Sequence, residues 1–250
     1  MILLSADVET TGLDRINDRI TELGAILYST GQRRCLESVS YLVKSEVPIP
    51  SLVSKLTGIS QAALDRYGYD SLSALETFLD LVNQADAIVG QNIVRFDKIF
   101  FENWCRRHGS TMPEKLYIDT RTDLPGVESK TLTLMAAEAV DPVTGRHCGF
   151  VNLNPHSALS DCETVLKLVE MHDINKVVER AKSPNVILIS HQKYEDNEQA
   201  KKLKFAWAGN DFKIWYRVTK QMDMDEIVKA APFNISVAGP ELTLEKLWYS

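Results

Sequence analysis

The stretch Met1-Ile2-Leu3-Leu4-Ser5-Ala6-Asp7-Val8-Glu9-Thr10-Thr11-Gly12-Leu13 begins as an apolar run and ends on two acids and a turn. Met1-Ile2-Leu3-Leu4 reads as a buried strand. In the strand period of two, Asp7 and Glu9 project from the same face, so two carboxylates sit side by side. Hard divalent cations such as Mg²⁺ take oxygen ligands, commonly one or two carboxylates shared with substrate phosphates. Thr10-Thr11-Gly12 is a turn signal at which backbone passes close to a ligand without a side chain in the way. An Asp-x-Glu pair standing alone at a strand end is ordinarily a solvated edge pair, so its meaning depends on what the rest of the chain supplies.

The chain supplies two further segments. Asp97 closes Asn92-Ile93-Val94-Arg95-Phe96-Asp97, and His156 and Asp161 belong to His156-Ser157-Ala158-Leu159-Ser160-Asp161. Four carboxylates with one imidazole are a kit for metal-assisted hydrolysis of a phosphodiester. An unperturbed imidazole titrates near pH ~6.5 and suits general-base work near neutrality. The five-residue step from His156 to Asp161, a little over one helical turn, brings both toward one cleft.

In this order the segments resemble the DnaQ-like 3′–5′ exonucleases of the four-acid-plus-histidine (DEDDh) type, the family of proofreading subunits, exodeoxyribonuclease X and ribonuclease T. Asp7-x-Glu9-Thr10-Thr11-Gly12-Leu13 is similar to its first motif, Asn92-x-x-x-Phe96-Asp97 to its second, and His156-x-Ala158-Leu159-x-Asp161 to its third. Weaker echoes lie between them: Ile20-Thr21-Glu22-Leu23-Gly24-Ala25 for the second strand, Leu56-Thr57-Gly58-Ile59-Ser60 for a loop, and Tyr117-Ile118-Asp119-Thr120 after the central helix. The likeness covers roughly residues 1 to 175. It implies an α/β, ribonuclease H-like mixed sheet flanked by helices and a centre of two Mg²⁺ (or Mn²⁺) ions. Asp7 would bridge the ions, Glu9 and Asp161 would hold the ion carrying the attacking water, Asp97 the other, and His156 would take the proton. It further implies that Thr10, Thr11, Gly12 and Leu13 meet the terminal nucleotide and that Asn92 and Phe96 contact its sugar and base. Core packing is the competing reading for Leu13 and Phe96, the latter because Phe100 and Phe101 follow one turn on.

Composition narrows the class. A chain of 250 residues with 44% hydrophobic content can bury a full core. No apolar run approaches the ~20 residues of a membrane span, and the opening run meets Asp7 too soon for a signal peptide. The expectation is a cytoplasmic protein, in a bacterium or a phage-infected cell. Cys35, Cys105, Cys148 and Cys162 form no Cys-x-x-Cys pair and read as reduced thiols. His147-Cys148 with His156 and Cys162 fits no standard zinc spacing.

The net charge of −6 divides unevenly. Residues 1–183 carry 19 Lys and Arg against 25 Asp and Glu, while residues 184–250 carry 9 of each. Bound divalent ions invert the local field that bare carboxylates suggest, so an acidic first part suits a metal-dependent nuclease. Residues 184–220 hold seven basic and four acidic residues among Phe205, Trp207, Phe212, Trp215 and Tyr216. Basic residues mixed with aromatics suit base stacking with backbone attraction, although two tryptophans on facing hairpin strands are equally natural as a module's own core.

Periodicity predicts strands at 2–8, 22–28 and 36–43 as an opening meander, a helix at 71–84, and a parallel strand at Ile88-Val89-Gly90. Helices at 97–108, 130–139 and 157–171 complete an α/β sandwich. Lys182-Ser183-Pro184-Asn185 reads as a linker, which separates an exonuclease domain at 1–182 from a small α+β module at 184–250, a candidate for nucleic-acid binding. In that module the pattern predicts a strand at 186–189, a basic helix at 196–204, a hairpin over 205–218 turning at Gly209-Asn210, a helix near 223–230 and a strand at 234–238. The partner expected is a DNA 3′ end. RNA is the alternative, because Asp141 to Pro155, where a specificity loop falls, matches no one branch of the family. A non-catalytic nucleic-acid-binding or polymerase-associated subunit is the remaining reading. The sequence specifies neither oligomeric state nor host.

Overall fold

The apolar alternation of the first forty residues folds as a meander. Strands β1 (Ile2–Thr10), β2 (Ile20–Ser29) and β3 (Arg34–Leu42) pair antiparallel, with Asp7 opposite Gly24 and Glu9 opposite Glu22. Two short helices follow, α1 (Ser51–Thr57) and α2 (Gln61–Tyr67). The first stops at Gly58, whose φ of 74° suits a residue without Cβ; the second is capped by Ser60. Helix α3 (Ser71–Gln84) starts at Asp70, whose carboxylate accepts from the Ser73 N–H. Strand β4 (Ala87–Gly90) then lies parallel beside β1, as the crossover through α3 requires. Helix α4 (Asp97–Arg107), strand β5 (Leu116–Asp119) and helices α5 (Thr120–Asp123), α6 (Leu132–Ala137), α7 (Ala158–Glu170) and α8 (Ile174–Lys182) complete the part of the chain that carries the three motifs.

The result is a five-stranded mixed sheet, ordered β3-β2-β1-β4-β5, with helices on both faces. Leu4, Ala6 and Val8 of β1 face Phe78 of α3 and Phe100, Phe101 and Trp104 of α4. Leu3, on the other face, packs with Cys162, Val165 and Val169 of α7, and Ser5 donates its hydroxyl to the Cys162 carbonyl at 3.0 Å. Each fully buried Leu or Phe contributes about 1.5–3 kcal/mol, so both faces are firmly covered. The same alternation carries Asp7 and Glu9 to the α7 side.

The computed structural model describes residues 1–125, 131–209 and 212–248. It divides into two units, Met1–Ala181 and Lys182–Ser250. The second holds an antiparallel sheet ordered β7-β8-β6-β9, from β6 (Asn185–Ser190), β7 (Ala206–Ala208), β8 (Ile214–Lys220) and β9 (Ile235–Val237). Helices α9 (Asn197–Lys202) and α10 (Met224–Ala230) lie along it, and α11 (Leu244–Trp248) ends the chain's described part. Leu188, Ala200, Phe205 and Ile227 form one of its small cores, and Ile187, Ala208, Leu242 and Leu247 the other.

Several expectations need adjustment. The helix expected at 130–139 spans only Leu132–Ala137, and Lys130 lies outside the described residues, as does Asn210 of the hairpin turn. The basic helix expected at 196–204 stops at Lys202, because Lys204 adopts a left-handed φ of 60° that turns the chain into β7. A new helix, α8, begins after α7 where Asp173 accepts from the Asn175 N–H at 2.9 Å. Among the described residues, no helix is long and apolar enough to cross a membrane.

Candidate active site

Three elements converge at the C-terminal end of β1. The strand brings Asp7 and Glu9; α4 begins on Asp97; α7 carries Asp161 in its first turn. Asp7, Glu9 and Asp161, each half-buried, place one carboxylate oxygen apiece within 4.8 Å of one another, the spacing of ligands around a shared ion. Asp97 stands next to this trio but outside it, buried, and accepts from the Val8 N–H at 3.2 Å. That bond ties the start of α4 to β1.

The electrostatics show how poorly this arrangement suits an unneutralised protein. Burial, followed by the charges of Asp97, Asp161, Glu9 and Glu22, holds the Asp7 carboxyl well above the ordinary carboxylate range. Burial and then Glu22, Asp161 and Asp97 push Glu9 up to about 8. Asp97 is also pushed up to about 8, since its burial outweighs the backbone N–H donors around it. Asp161 is raised by burial, although the Asn152 amide, the His156 N–H and the His156 imidazole counteract it. Like charges at this density ionise together only when a cation joins them, and an all-oxygen donor set is what Mg²⁺ or Mn²⁺ takes. The residues present therefore fit a divalent ion.

His156 lies in the turn just before α7. It is exposed, stands outside the carboxylate trio, and has a left-handed φ of 65°. A non-glycine residue held there reflects constraint from its surroundings. Its own N–H favours the ionised form of Asp161, which sets the histidine backbone beside that acid.

The other expected residues divide between structural and accessible. Thr10 and Thr11 spend their hydroxyls internally, on the Gly12 carbonyl at 2.6 Å and on Asp18 at 2.7 Å, and the Thr11 N–H goes to Arg19. At Gly12 a Cβ would lie 2.4 Å from an Asp18 oxygen, so a side chain there would push the Asp18 carboxylate off the Thr11 hydroxyl and the Asp14 N–H. Leu13 is 79% exposed, which removes core packing as its role. Asn92 has a φ of 56°; its N–H donates to Asp119 at 2.9 Å and its side-chain oxygen accepts from Arg121 at 3.0 Å. Phe96 is half-buried, tilted on Phe100, with the Arg15 guanidinium 5.7 Å from its ring centre.

Three residues at the site escaped the sequence reading. Glu22 faces Glu9 across the β1–β2 pair. Buried Asp119 organises the 91–96 loop through the N–H groups of Asn92, Val94 and Arg121, and burial still lifts its carboxyl to about 6. Asn152 donates to Asp161 while its oxygen accepts from Ser160 Oγ at 2.8 Å and the Asn154 N–H at 3.0 Å. Glu22 and Asp119 lay within segments already noted for their likeness, but the place of Glu22 opposite Glu9 depends on a register that shifts between Glu9 and Thr10. Asn152 carried no signal.

Comparison with known proteins agrees with this geometry. Residues 4–169 match the exonuclease family model of ribonuclease T. The PolC-type DNA polymerase III of Thermotoga maritima is 30% identical over 169 residues, which are 66% of this chain and 12% of that protein. That of Clostridium perfringens is 27% identical over 202 residues, 79% of this chain and 13% of that one. The chain thus spans about an eighth or less of the length of the curated relatives it matches. Among solved structures, Escherichia coli exonuclease I in complex with a dT13 oligonucleotide superposes with a TM-score of 0.57 at 13% identity, over 99% of this chain and 70% of that one. The nuclease domain of 3′hExo, a DEDDh family member bound to rAMP, does so with a TM-score of 0.52 at 18% identity, over 68% and 90%. The ribonuclease H-like fold is shared with both, and the chain belongs to the ribonuclease T exonuclease family, the DnaQ-like 3′–5′ exonucleases.

Proposed function

We propose that this chain hydrolyses DNA from a free 3′ end and releases nucleoside 5′-monophosphates. The observation that carries the reading is the convergence of one carboxylate oxygen each from Asp7, Glu9 and Asp161 within 4.8 Å, with Asp97 buried alongside. Asp7, Glu9 and Asp161 would hold one divalent ion, and Asp7 with Asp97 a second. Such ions, when bound, polarise the scissile phosphodiester and lower the pKa of the attacking water. His156, in the turn that enters α7, would receive the proton from that water. Leu13, exposed on a loop fastened by Asp18, packs against the terminal base. Asn92 and Phe96 line the approach of its sugar.

DNA is favoured by the names of the relatives, which are DNA polymerases, and by the oligonucleotide bound to exonuclease I. The rAMP bound to 3′hExo supports RNA as the second reading. Residues 184–250 are proposed to hold the strand. Trp207 is 51% exposed and its ring lies 5.9 Å from that of Trp215, so it offers a face for stacking, and Lys193, Lys201, Lys202 and Lys213 are exposed on the same module. A digestion panel of end-labelled single-stranded DNA, duplex DNA and RNA with Mg²⁺ or Mn²⁺ tests the assignment: DNA shortened from its 3′ end is the expected result, and preferential digestion of RNA transfers the assignment to the second reading.

A further inference from the structure

Helix α7 carries Asp161 and is entered through His156, so its placement against β1 and β2 sets the geometry of the site. Two residues of β2 govern that placement. At Gly24 a Cβ would lie 2.3 Å from the Ala158 carbonyl carbon and 2.4 Å from the Leu159 nitrogen, so the first turn of α7 rests on bare strand backbone. The Cys162 thiol, one turn on, donates to the Gly24 carbonyl at 3.3 Å. Two positions before Gly24, on the same face, stands Glu22.

Glu22 is 8% exposed, and its carboxylate accepts from the Ser157 hydroxyl at 3.4 Å, while the neighbouring Ala158 N–H counteracts the rise that burial imposes on its pKa. Ser157 occupies the N-cap of α7 but makes no capping bond of its own. The acid in the helix's first turn, Asp161, is committed to the carboxylate trio. The Ser157 hydroxyl and the Ala158 amide at this end therefore face an acceptor on a neighbouring strand. The residues held are the two that join His156 to the helix.

We propose that Glu22 is a positioning residue, whose carboxylate caps α7 from the neighbouring strand and so fixes His156 and Asp161 against Asp7 and Glu9. The assignment rests on the exonuclease reading of the site. It gives Glu22 a part in the reaction without touching substrate, and it distinguishes Glu22 from the four motif acids: its oxygens hold helix donors.

The full-length protein with Glu22→Gln, Glu22→Asp and Glu22→Ala, beside Asp7→Ala, separates the possibilities. The substrate is the p-nitrophenyl ester of thymidine 5′-monophosphate, with Mn²⁺ titrated. Wild type should turn over and Asp7→Ala should not; an inert wild type would overturn the reading of the site and this assignment with it. Gln keeps length and acceptor oxygen, so Glu22→Gln should stay within about tenfold of wild-type kcat. Asp keeps the charge but falls one methylene short of the helix, so Glu22→Asp should lose about 10²-fold in kcat, the scale of a displacement near 1 Å. KM and the half-saturating Mn²⁺ concentration should stay within about threefold of wild type for both. Glu22→Ala should resemble Glu22→Asp, and if it fails to fold, the Gln and Asp variants still decide. Activity of Asp above Gln, or a Mn²⁺ requirement raised tenfold or more in Glu22→Gln, would make Glu22 a metal ligand or a source of charge and overturn the proposal.

Discussion

The two sheets of this chain use their most chemically distinctive side chains in opposite ways. At the end of β1 and β2, five carboxylates gather from Asp7, Glu9, Glu22, Asp97 and Asp161; burial lifts the pKa of each, and repulsion from neighbouring acids adds to it at all but Asp161. In the C-terminal unit, Trp215 packs beside Leu188, Ala200 and Phe205 and so serves the module's own core. Trp207, its cross-strand partner, is half outside. Residues that oppose folding declare their chemistry, because nothing but function explains them. Residues that serve folding conceal any second role, which is why the first unit could be read as an enzyme and the second only as a candidate grip.

The sharpest way to break the contrast is to remove one opposing charge. Asp7→Asn should lower nuclease activity roughly 10³-fold or more, since metal assistance supplies several kcal/mol of transition-state stabilisation. The same change should raise the metal-free Tm, because it removes repulsion from the cluster. A calorimetric scan beside the activity assay checks both. A variant both inactive and markedly less stable would show that Asp7 serves the fold.

The next effect is a linkage of stability to pH. Glu9 and Asp97 have folded-state values near 8, well above the ordinary carboxylate range they return to on unfolding. Between about pH 4 and pH 8 the folded protein therefore binds more protons than the unfolded chain, and stability falls as pH rises. Metal-free Tm should drop from pH 5 to pH 8. Mn²⁺ binds the ionised cluster, so its stabilisation, about 2.7 kcal/mol at a hundred times Kd, should be larger at pH 8 than at pH 5. Equal metal-induced shifts at the two pH values would contradict the clustered charges.

The smallest effect lies in the C-terminal unit. Trp207→Ala should weaken binding of a long single strand by about 1–3 kcal/mol, the worth of one stacked base, with little change in Tm because half of the indole is already in solvent. Neutralising Lys201 and Lys202 together should flatten the salt dependence, by roughly 0.7 in slope for each phosphate that no longer meets a cation. Unchanged affinity and slope would reduce the pair of tryptophans to a hydrophobic staple and bring the two units to the same rule.

Legibility followed the length of the pattern. Strands β1 to β3 and helices α3, α4 and α7 carry long runs of two-fold or helical alternation, and each was readable within a residue or two at most of its ends. Helices α1 and α2 were not, because each has only seven residues and α1 buries none of them, leaving no apolar stripe to see. Glu22 was overlooked for a different reason. Its place opposite Glu9 depends on the hairpin register, which shifts between Glu9 and Thr10. Asn152 reaches Asp161 from an irregular segment, where no periodicity connects position to partner.

Digestion of a 5′-end-labelled single-stranded oligodeoxynucleotide with Mg²⁺, read at single-nucleotide resolution beside a closed circle of the same composition, tests the central claim most directly. The account predicts a ladder that shortens from the 3′ end one nucleotide at a time, release of nucleoside 5′-monophosphates, an intact circle, and no products in EDTA. Efficient cutting of the circle, or products unaffected by removal of the metal, would contradict it.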